Sequence, residues 1–185
     1  MYPLLFIIMC ALFALEEFVL IKPVSTIAES DPLSRKLELA ALWVPAIGLA
    51  LTGGTVRLFG ALWIGGALNL LGVALCACGI GLRYWSRREL GRFFTIGVVS
   101  QDGHQVIRSG PYSVVRHPAY LAFILFYLGA PMIVGSWFGL VILSLPALLI
   151  LVALIVVEDR KLEEKLGEAY SRYIADKPRL LPGLW

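Results

Sequence analysis

The sequence predicts an all-α integral membrane protein with about five transmembrane helices. Of its 185 residues, 59% are hydrophobic, whereas soluble globular domains contain roughly 45–50% apolar residues. The apolar residues also form runs of about twenty, the length that a helix needs to cross the hydrocarbon core of a bilayer. The surplus apolar surface is therefore expected to face lipid, and residues 1–185 are expected to form one membrane domain.

Turn residues and charged residues separate the apolar runs. Lys22-Pro23 closes the first run, and Gly135-Ser136 divides the long run 119–157 into a tight helical hairpin. The predicted spans are residues 2–21, 39–58, 61–82, 119–134 and 137–157. In the third span, small residues are expected to let helices approach closely, and Asn69 is expected to hydrogen-bond to a neighbouring helix.

The placement of basic residues predicts an orientation. Fifteen of the 16 Lys and Arg residues fall in segments 22–38, 83–118 and 158–185, which five spans place on one side, and Arg57 is alone on the other. By the positive-inside rule, the N-terminus faces out and the basic side faces the cytoplasm, in a multi-pass protein of the inner or plasma membrane. Glu16, Arg83 and Arg87 lie near this side and are expected to be interfacial.

Other classes of site have little support in the sequence. The three cysteines, Cys10, Cys76 and Cys78, lie inside apolar runs without flanking ligands, which favours a packing role over a disulfide or zinc site. The net charge of +3 is unremarkable. We therefore expect the lipid bilayer as a partner, and neither nucleic acid nor metal.

Two polar segments, 102–120 and 158–182, flank the last hairpin and emerge at the same end of it. The hairpin is expected to bring their cations, acids and aromatic residues together on the cytoplasmic side. Such a mixture suits a charged or zwitterionic ligand that meets a lipid. The residues expected to meet there are His104, Tyr112, Arg116, His117 and Tyr120 from the first segment, and Glu158, Asp159, Tyr170, Tyr173 and Arg179 from the second.

Both segments carry motifs of a known family. The run "HQVIRSGPYSVVRHPAY" at 104–120 resembles the "H-x-L-V-x-x-G-x-Y-x-x-x-R-H-P-x-Y" signature of the isoprenylcysteine carboxyl methyltransferases, which are related to the phospholipid methyltransferases. The tail "EDRKLEEKLGEAYSRY", followed by "KPRLLP", resembles that family's "E-E-x-x-L-x-x-x-F-G-x-x-Y-x-x-Y". The resemblance covers roughly residues 70–185, with the two motifs in the family's order on either side of a helical hairpin.

The resemblance implies a membrane methyltransferase that uses S-adenosylmethionine and releases S-adenosylhomocysteine. The pocket for this cofactor would lie on the cytoplasmic side, between the loop before the last hairpin and the tail. No G-x-G-x-x-G follows a strand in the sequence, which agrees with a family that binds this cofactor without a Rossmann fold. The cofactor-binding residues carried over are His104, Val106, Tyr112, His117, Tyr120, Glu158, Asp159, Leu162, Leu180 and Pro182.

The resemblance also suggests roles for charged residues and a class of acceptor. Arg116 and Glu158 are the expected catalytic residues, and Arg116 with Arg179 is expected to hold the substrate. The position three residues after the second tail tyrosine is Asp176, where prenylcysteine-specific members carry Arg. The expected acceptor is therefore a small lipid or another hydrophobic molecule rather than a prenylated protein.

Three alternatives stay open from the sequence. Arg116 alone could anchor a helix at the lipid headgroups, and Glu158 and Asp159 could be interfacial acids that close the last span. The chain could instead be an NADPH-dependent membrane reductase of the sterol-reductase type, since "KPRLLPGLW" is similar to the tail of those longer proteins. It could also be a non-catalytic membrane protein that keeps the scaffold. Binding of S-adenosylmethionine would indicate the methyltransferase, binding of NADPH the reductase, and binding of neither the non-catalytic protein.

Overall fold

A computed structural model describes residues 2–19, 32–59, 66–93 and 106–181, and their regular structure is entirely helical. Five long helices and one short helix follow in order, joined in part by 3₁₀ turns at Gly91–Phe93 and Gly110–Ser113. The helices are α1 (Tyr2–Val19), α2 (Pro32–Phe59), α3 (Ala67–Leu90), α4 (Pro118–Ile133), α5 (Trp137–Leu166) and α6 (Glu168–Asp176).

The helices are those of a membrane protein, as the sequence predicts. By length and composition, three segments of the described part of the chain can cross a bilayer: Leu39–Leu58 within α2, Ala67–Leu90 and Trp137–Leu166. Two of the five predicted spans correspond to shorter apolar helices, Tyr2–Glu16 and Pro118–Ile133. An α4 of 16 residues is about 24 Å long, so it falls short of the roughly 30 Å hydrocarbon core.

Several helix boundaries differ from the predicted ones. The third span was expected at 61–82, but α3 begins at Ala67 and continues to Leu90, so its arginines are helical. The last helix likewise continues past residue 157 to Leu166. Each helix ends where a glycine takes a positive φ, +54° at both Gly91 and Gly167, and charged residues before that point do not stop it. Residues 20–21 and 61–65 of the predicted spans lie outside the described residues.

The predicted close approach of small residues is confirmed between α3 and α4, which form the most extensive helix pair. A Cβ added to Gly72 would lie 2.8 Å from the carbonyl oxygen of Gly129, and one added to Gly79 would lie 2.8 Å from that of Ala122. Asn69 Nδ2 donates to the carbonyl oxygens at the end of α4, at 3.1 Å and 3.0 Å, which confirms its interhelical bond.

The break at Gly135-Ser136 is also confirmed. Gly135 has a φ of +69°, and the Ser136 hydroxyl accepts a hydrogen bond from the Gly139 N–H at 3.0 Å, which caps the start of α5. The first turns of α5 include a π-helical segment, Leu140–Ser144. The hairpin returns the far end of α5 to the start of α4, so the residues before α4 meet those after residue 157.

Helix α1 packs against this hairpin and against α3. Phe13 stacks on Phe126 of α4 with ring centroids 3.9 Å apart. Glu16 is only 5% exposed, and its carboxylate pairs with the Arg87 guanidinium at 3.2 Å. Glu16 therefore faces the protein interior, because the end of α3 brings a cation to it and makes its burial tolerable; its depth in the membrane stays a prediction.

Candidate functional site

The two polar segments meet through their backbones. The Arg116 N–H donates to the Pro178 carbonyl at 2.9 Å, and the His117 N–H donates to the Arg179 carbonyl at 3.0 Å. His117 is the N-cap residue of α4 and precedes Pro118, which disfavours a helical conformation at His117. Its N–H is therefore free to bind the tail, and the tail is fastened beside the start of α4.

Asp159 lies at the centre of the joined segments and is 5% exposed. Its Oδ1 accepts a hydrogen bond from the Tyr170 hydroxyl at 2.7 Å and lies 2.8 Å from His117 Nε2. Its Oδ2 accepts from Arg179 Nε at 2.7 Å and from an Arg116 terminal nitrogen at 3.0 Å. An ionised carboxylate only accepts hydrogen bonds, so His117 Nε2 carries a hydrogen. We call these five residues the Asp159 cluster.

Helix α6 closes over the cluster through two buried tyrosines. The Tyr173 hydroxyl donates to the Tyr112 carbonyl at 2.7 Å, and burial raises the pKa of Tyr173 to about 12. Burial and the bond to Asp159 raise the pKa of Tyr170 well above its usual value. Both phenols are therefore neutral donors at physiological pH, and they fasten α6 to both polar segments. Arg108 adds a bond of 3.0 Å to the Ala169 carbonyl.

A second polar group surrounds the Tyr112 hydroxyl. Burial, and then the negative charge of Glu158, raise the pKa of Tyr112 far above its ordinary value, whereas Arg83 acts in the opposite direction. The Ser86 hydroxyl also lies beside this phenol. Tyr112 therefore feels the charges of an acid of α5 and of a buried arginine of α3, and it stays protonated.

Arg116 has binding capacity beyond its bond to Asp159. Its side chain is 12% exposed, and its Nε is a buried donor without a hydrogen-bond partner among the described residues. A buried donor of this kind ordinarily finds an acceptor. The site can therefore hold an anionic ligand group, such as the carboxylate of an amino-acid moiety, beside the Asp159 cluster.

The structure brings together most of the polar residues predicted for the site. Arg116, His117, Asp159 and Arg179 lie in one cluster, and the ring centroid of Tyr120 is 5.7 Å from that of His117. Of the other predicted residues, Glu158, Val106 and Leu162 are half-buried, Leu180 is buried, and His104 and Pro182 lie outside the described residues.

Two residues near the site, Arg83 and Ser86, were not identified from the sequence. The expectation that Arg83 is an interfacial anchor is wrong, because its exposure is 7% and its guanidinium lies 4.3 Å from the ring centroid of Phe123. Their spacing could have identified them, because the buried positions of α3 recur every three or four residues. They are Asn69, Gly72, Cys76, Gly79, Arg83 and Ser86. This spacing marks one helix face.

The phospholipid methyltransferase family matches residues 68–169, which contain α3, α4, α5 and the loop that carries Arg116 and His117. The chain is 28% identical over 102 residues to the protein YpbQ of Bacillus subtilis, covering 55% of this chain and 57% of that one. It is 28% identical over 103 residues to the protein-S-isoprenylcysteine O-methyltransferase of Schizosaccharomyces pombe, covering 55% and 44%.

A third relative is the cobalt-zinc-cadmium resistance protein CzcN of Cupriavidus metallidurans. It is 30% identical over 117 residues, covering 63% of this chain and 49% of that protein. The matches thus span about half the length of the curated relatives. The family match includes Arg116, His117 and Asp159 of the Asp159 cluster and ends just before Tyr170.

Proposed function

This chain belongs to the phospholipid methyltransferase family, and from that premise we propose that it transfers a methyl group from S-adenosylmethionine to a lipophilic acceptor at the membrane surface. One observation carries the proposal. The carboxylate of Asp159 joins the Arg-His-Pro segment to the C-terminal tail through Arg116, His117 and Arg179. The two motif segments therefore form one polar site at the end of the membrane hairpin.

The residues of this site fit the methyl donor. The buried Nε of Arg116, which lacks a protein partner among the described residues, suits the donor's carboxylate. Glu158 is half-exposed and would accept hydrogen bonds from its ammonium or ribose hydroxyls. The aromatic faces of Tyr112 and Tyr120 would lie near its positive charge. When bound, S-adenosylmethionine supplies an electrophilic methyl group on a sulfonium.

Asp159 supports the site in another way. All four of its bonds go to protein side chains, so its charge balances the two arginines and orients the His117 ring. We propose that Asp159 positions Arg116 and His117, and that it leaves contact with the donor to them and to Glu158. Much of the rate enhancement would then come from alignment of the reacting groups in a site that excludes water.

The acceptor is proposed to arrive from the lipid. An apolar cavity of about 230 Å³ lies between α4 and α5, and Ile124, Tyr127, Leu148 and Leu151 are among the residues that line it. Among the residues of α5 that line the cavity, Leu151 is the one nearest to the polar site, two helical turns or about 12 Å before Asp159. A carboxylate acceptor would need no general base, whereas an amine or a hydroxyl would. The polar site would face the cytoplasm, where the donor is available.

Calorimetric titration with S-adenosylhomocysteine tests the proposed donor. We expect the purified protein to bind it, and Glu158→Ala to weaken binding by about 1–3 kcal/mol, the usual effect of losing a charged hydrogen bond. Glu164→Ala is the matched control, because Glu164 is exposed on the same helix. Equal effects of both variants on affinity would show that Glu158 does not bind the ligand. Binding of NADPH in place of S-adenosylhomocysteine would overturn the proposal.

A further inference from the structure

Helix α6 lies between two non-helical residues. It begins after Gly167, whose φ is +54°, and it ends before Lys177, whose backbone is extended. A Cβ added to Gly167 would meet no described atom within 4 Å, so the chain has room to bend there. Beyond Lys177, the carbonyls of Pro178 and Arg179 hold the tail beside the start of α4. Helix α6 can therefore turn about its two ends while the tail beyond it stays in place.

Helix α6 is attached to the rest of the site by side-chain hydrogen bonds. The Tyr173 hydroxyl donates to the Tyr112 carbonyl at 2.7 Å, and Arg108 donates to the Ala169 carbonyl at 3.0 Å. Among the described helices, α6 packs mainly against α5, to which it is joined. A neutral hydrogen bond adds little net stability, because water replaces it when it opens. The attachment of α6 is thus weaker than the close backbone packing of α3 on α4.

The residues beneath α6 are closed off from solvent. Asp159 and His117 are each 5% exposed, and the Arg116 Nε is a buried donor. Tyr170 of α6 is 4% exposed and shares the Asp159 carboxylate with Arg116. A ligand therefore reaches the Arg116 Nε only after a neighbouring part of the protein moves. Helix α6 is a neighbour that has a bendable residue at each end.

We propose that α6 is a flap that opens about Gly167 and Lys177 and controls access to the Asp159 cluster. The hydrogen bond from the Tyr173 hydroxyl to the Tyr112 carbonyl holds the flap closed. Its opening is a local event, which needs less free energy than unfolding of the whole protein. Access to the cluster follows from the contacts of α6 alone. That the flap admits S-adenosylmethionine and releases S-adenosylhomocysteine rests on the proposed function.

Modification of His117 by diethyl pyrocarbonate measures access to the cluster, because the reagent must contact a ring nitrogen. In purified protein in a neutral detergent, we expect His117 of Tyr173→Phe to react about two- to tenfold faster than in wild type, the effect of losing one neutral hydrogen bond. Tyr84→Phe is the matched control, because Tyr84 is exposed on α3, and it should react like wild type. Mass spectrometry of peptides separates His117 from His104.

Cys76 distinguishes opening of the flap from unfolding. It is fully buried in the core beside α4, so N-ethylmaleimide should alkylate it only when the helices separate. Its alkylation rate in Tyr173→Phe should equal that of wild type. An unchanged rate at His117 overturns the proposal, and so does an equal acceleration at His117 and Cys76, which would show that Tyr173 only supports the fold.

A second variant tests the flap if Tyr173→Phe does not fold. Arg108 is exposed, so Arg108→Gln should fold, and the loss of its bond to the Ala169 carbonyl should also speed the modification of His117. An unchanged rate at His117 in a folded Arg108→Gln would contradict the proposal.

S-adenosylhomocysteine tests what passes the flap. In wild type it should slow the modification of His117, and it should dissociate about two- to tenfold faster from Tyr173→Phe, as measured by stopped-flow competition. An unchanged dissociation rate would overturn the assignment of the flap to the donor. Failure of the wild type to bind S-adenosylhomocysteine would contradict the proposed function alone, because the modification of His117 still measures opening of the flap.

Discussion

At the residue scale, two neighbouring acids on α5 have different surroundings. Asp159 is buried and bonded to four protein side chains, whereas Glu158 is half-exposed and acts electrostatically on Tyr112 and Tyr170. Successive residues of a helix point about 100° apart, so one of the pair faces the joined segments and the other faces their rim. The sequence identifies both acids as candidates, but it does not say which of them is bonded to the protein.

Replacing Asp159 by Asn should destabilise the fold. The amide keeps the shape but loses the charge, so Arg116 and Arg179 would no longer be balanced. Breaking a fully buried ion pair costs about 3–5 kcal/mol, and because the Arg179 side chain is 28% exposed, we expect about 2–4 kcal/mol. Thermal unfolding in detergent measures the change.

Asp176→Asn is the control for this substitution. Asp176 is exposed at the end of α6, so the loss of its charge should change the free energy of unfolding by less than about 0.5 kcal/mol. Equal stability of the two variants would show that the Asp159 cluster contributes little to the fold.

At the element scale, the inner face of α3 determines how the membrane helices pack. Small residues allow backbone contact with α4 along most of this face, and the same face then presents Arg83 and Ser86 to the site. The buried positions of α3 keep the same spacing of three or four residues from Gly79 onward, where Arg83 and Ser86 follow. The helix therefore extends a membrane packing surface directly into the site.

Two alanine substitutions on α3 should have opposite effects. A Cβ at Gly72 would lie 2.8 Å from backbone atoms of α4, so Gly72→Ala should destabilise the protein by about 1–3 kcal/mol. A Cβ at Gly81 meets no described atom within 4 Å, so Gly81→Ala should stabilise it by up to about 1 kcal/mol through helix propensity. Thermal unfolding of both variants in one detergent measures the difference, and a stabilising Gly72→Ala would contradict the close packing.

At the scale of the whole molecule, the family match begins near the start of α3, and the first two helices pack around that part. Helix α1 contributes Phe13 to α4 and Glu16 to α3. Helix α2 packs against the π-helical part of α5, where a Cβ on Gly48 would lie 2.9 Å from a Leu143 side-chain carbon. The contacts of Gly72 with Gly129 and of Gly79 with Ala122 show that α3 and α4 run antiparallel.

Cysteine accessibility tests the orientation in the membrane. Ser109 lies in the loop before α4 and Phe138 at the other end of the hairpin, and both are exposed. In a background without the three native cysteines, Ser109→Cys should react only from the cytoplasmic side and Phe138→Cys only from outside. Reaction of both from one side would contradict the five-span topology. Ser136 suits this test less well, because it is 3% exposed.

The sequence by itself determined the class of fold, the number of long helices, the hairpin turn and the meeting of the two polar segments. These features depend on local composition, on helix length relative to a bilayer and on the conformational preference of glycine, all of which can be read along the chain. The functional roles expected for Arg116 and His117 came instead from the motif that resembles a known family.

Only the tertiary structure decided which charges are bonded to each other. Asp159 takes Arg116, His117, Tyr170 and Arg179 as partners, and Glu16 takes Arg87 across 71 positions of the chain. Which charges pair depends on how each helix is rotated about its own axis. For α3 and α4, the close packing at Gly72 and Gly79 sets this rotation. A charge near the end of a hydrophobic run therefore looks the same in the sequence whether it faces headgroups or, like Arg83, the protein interior.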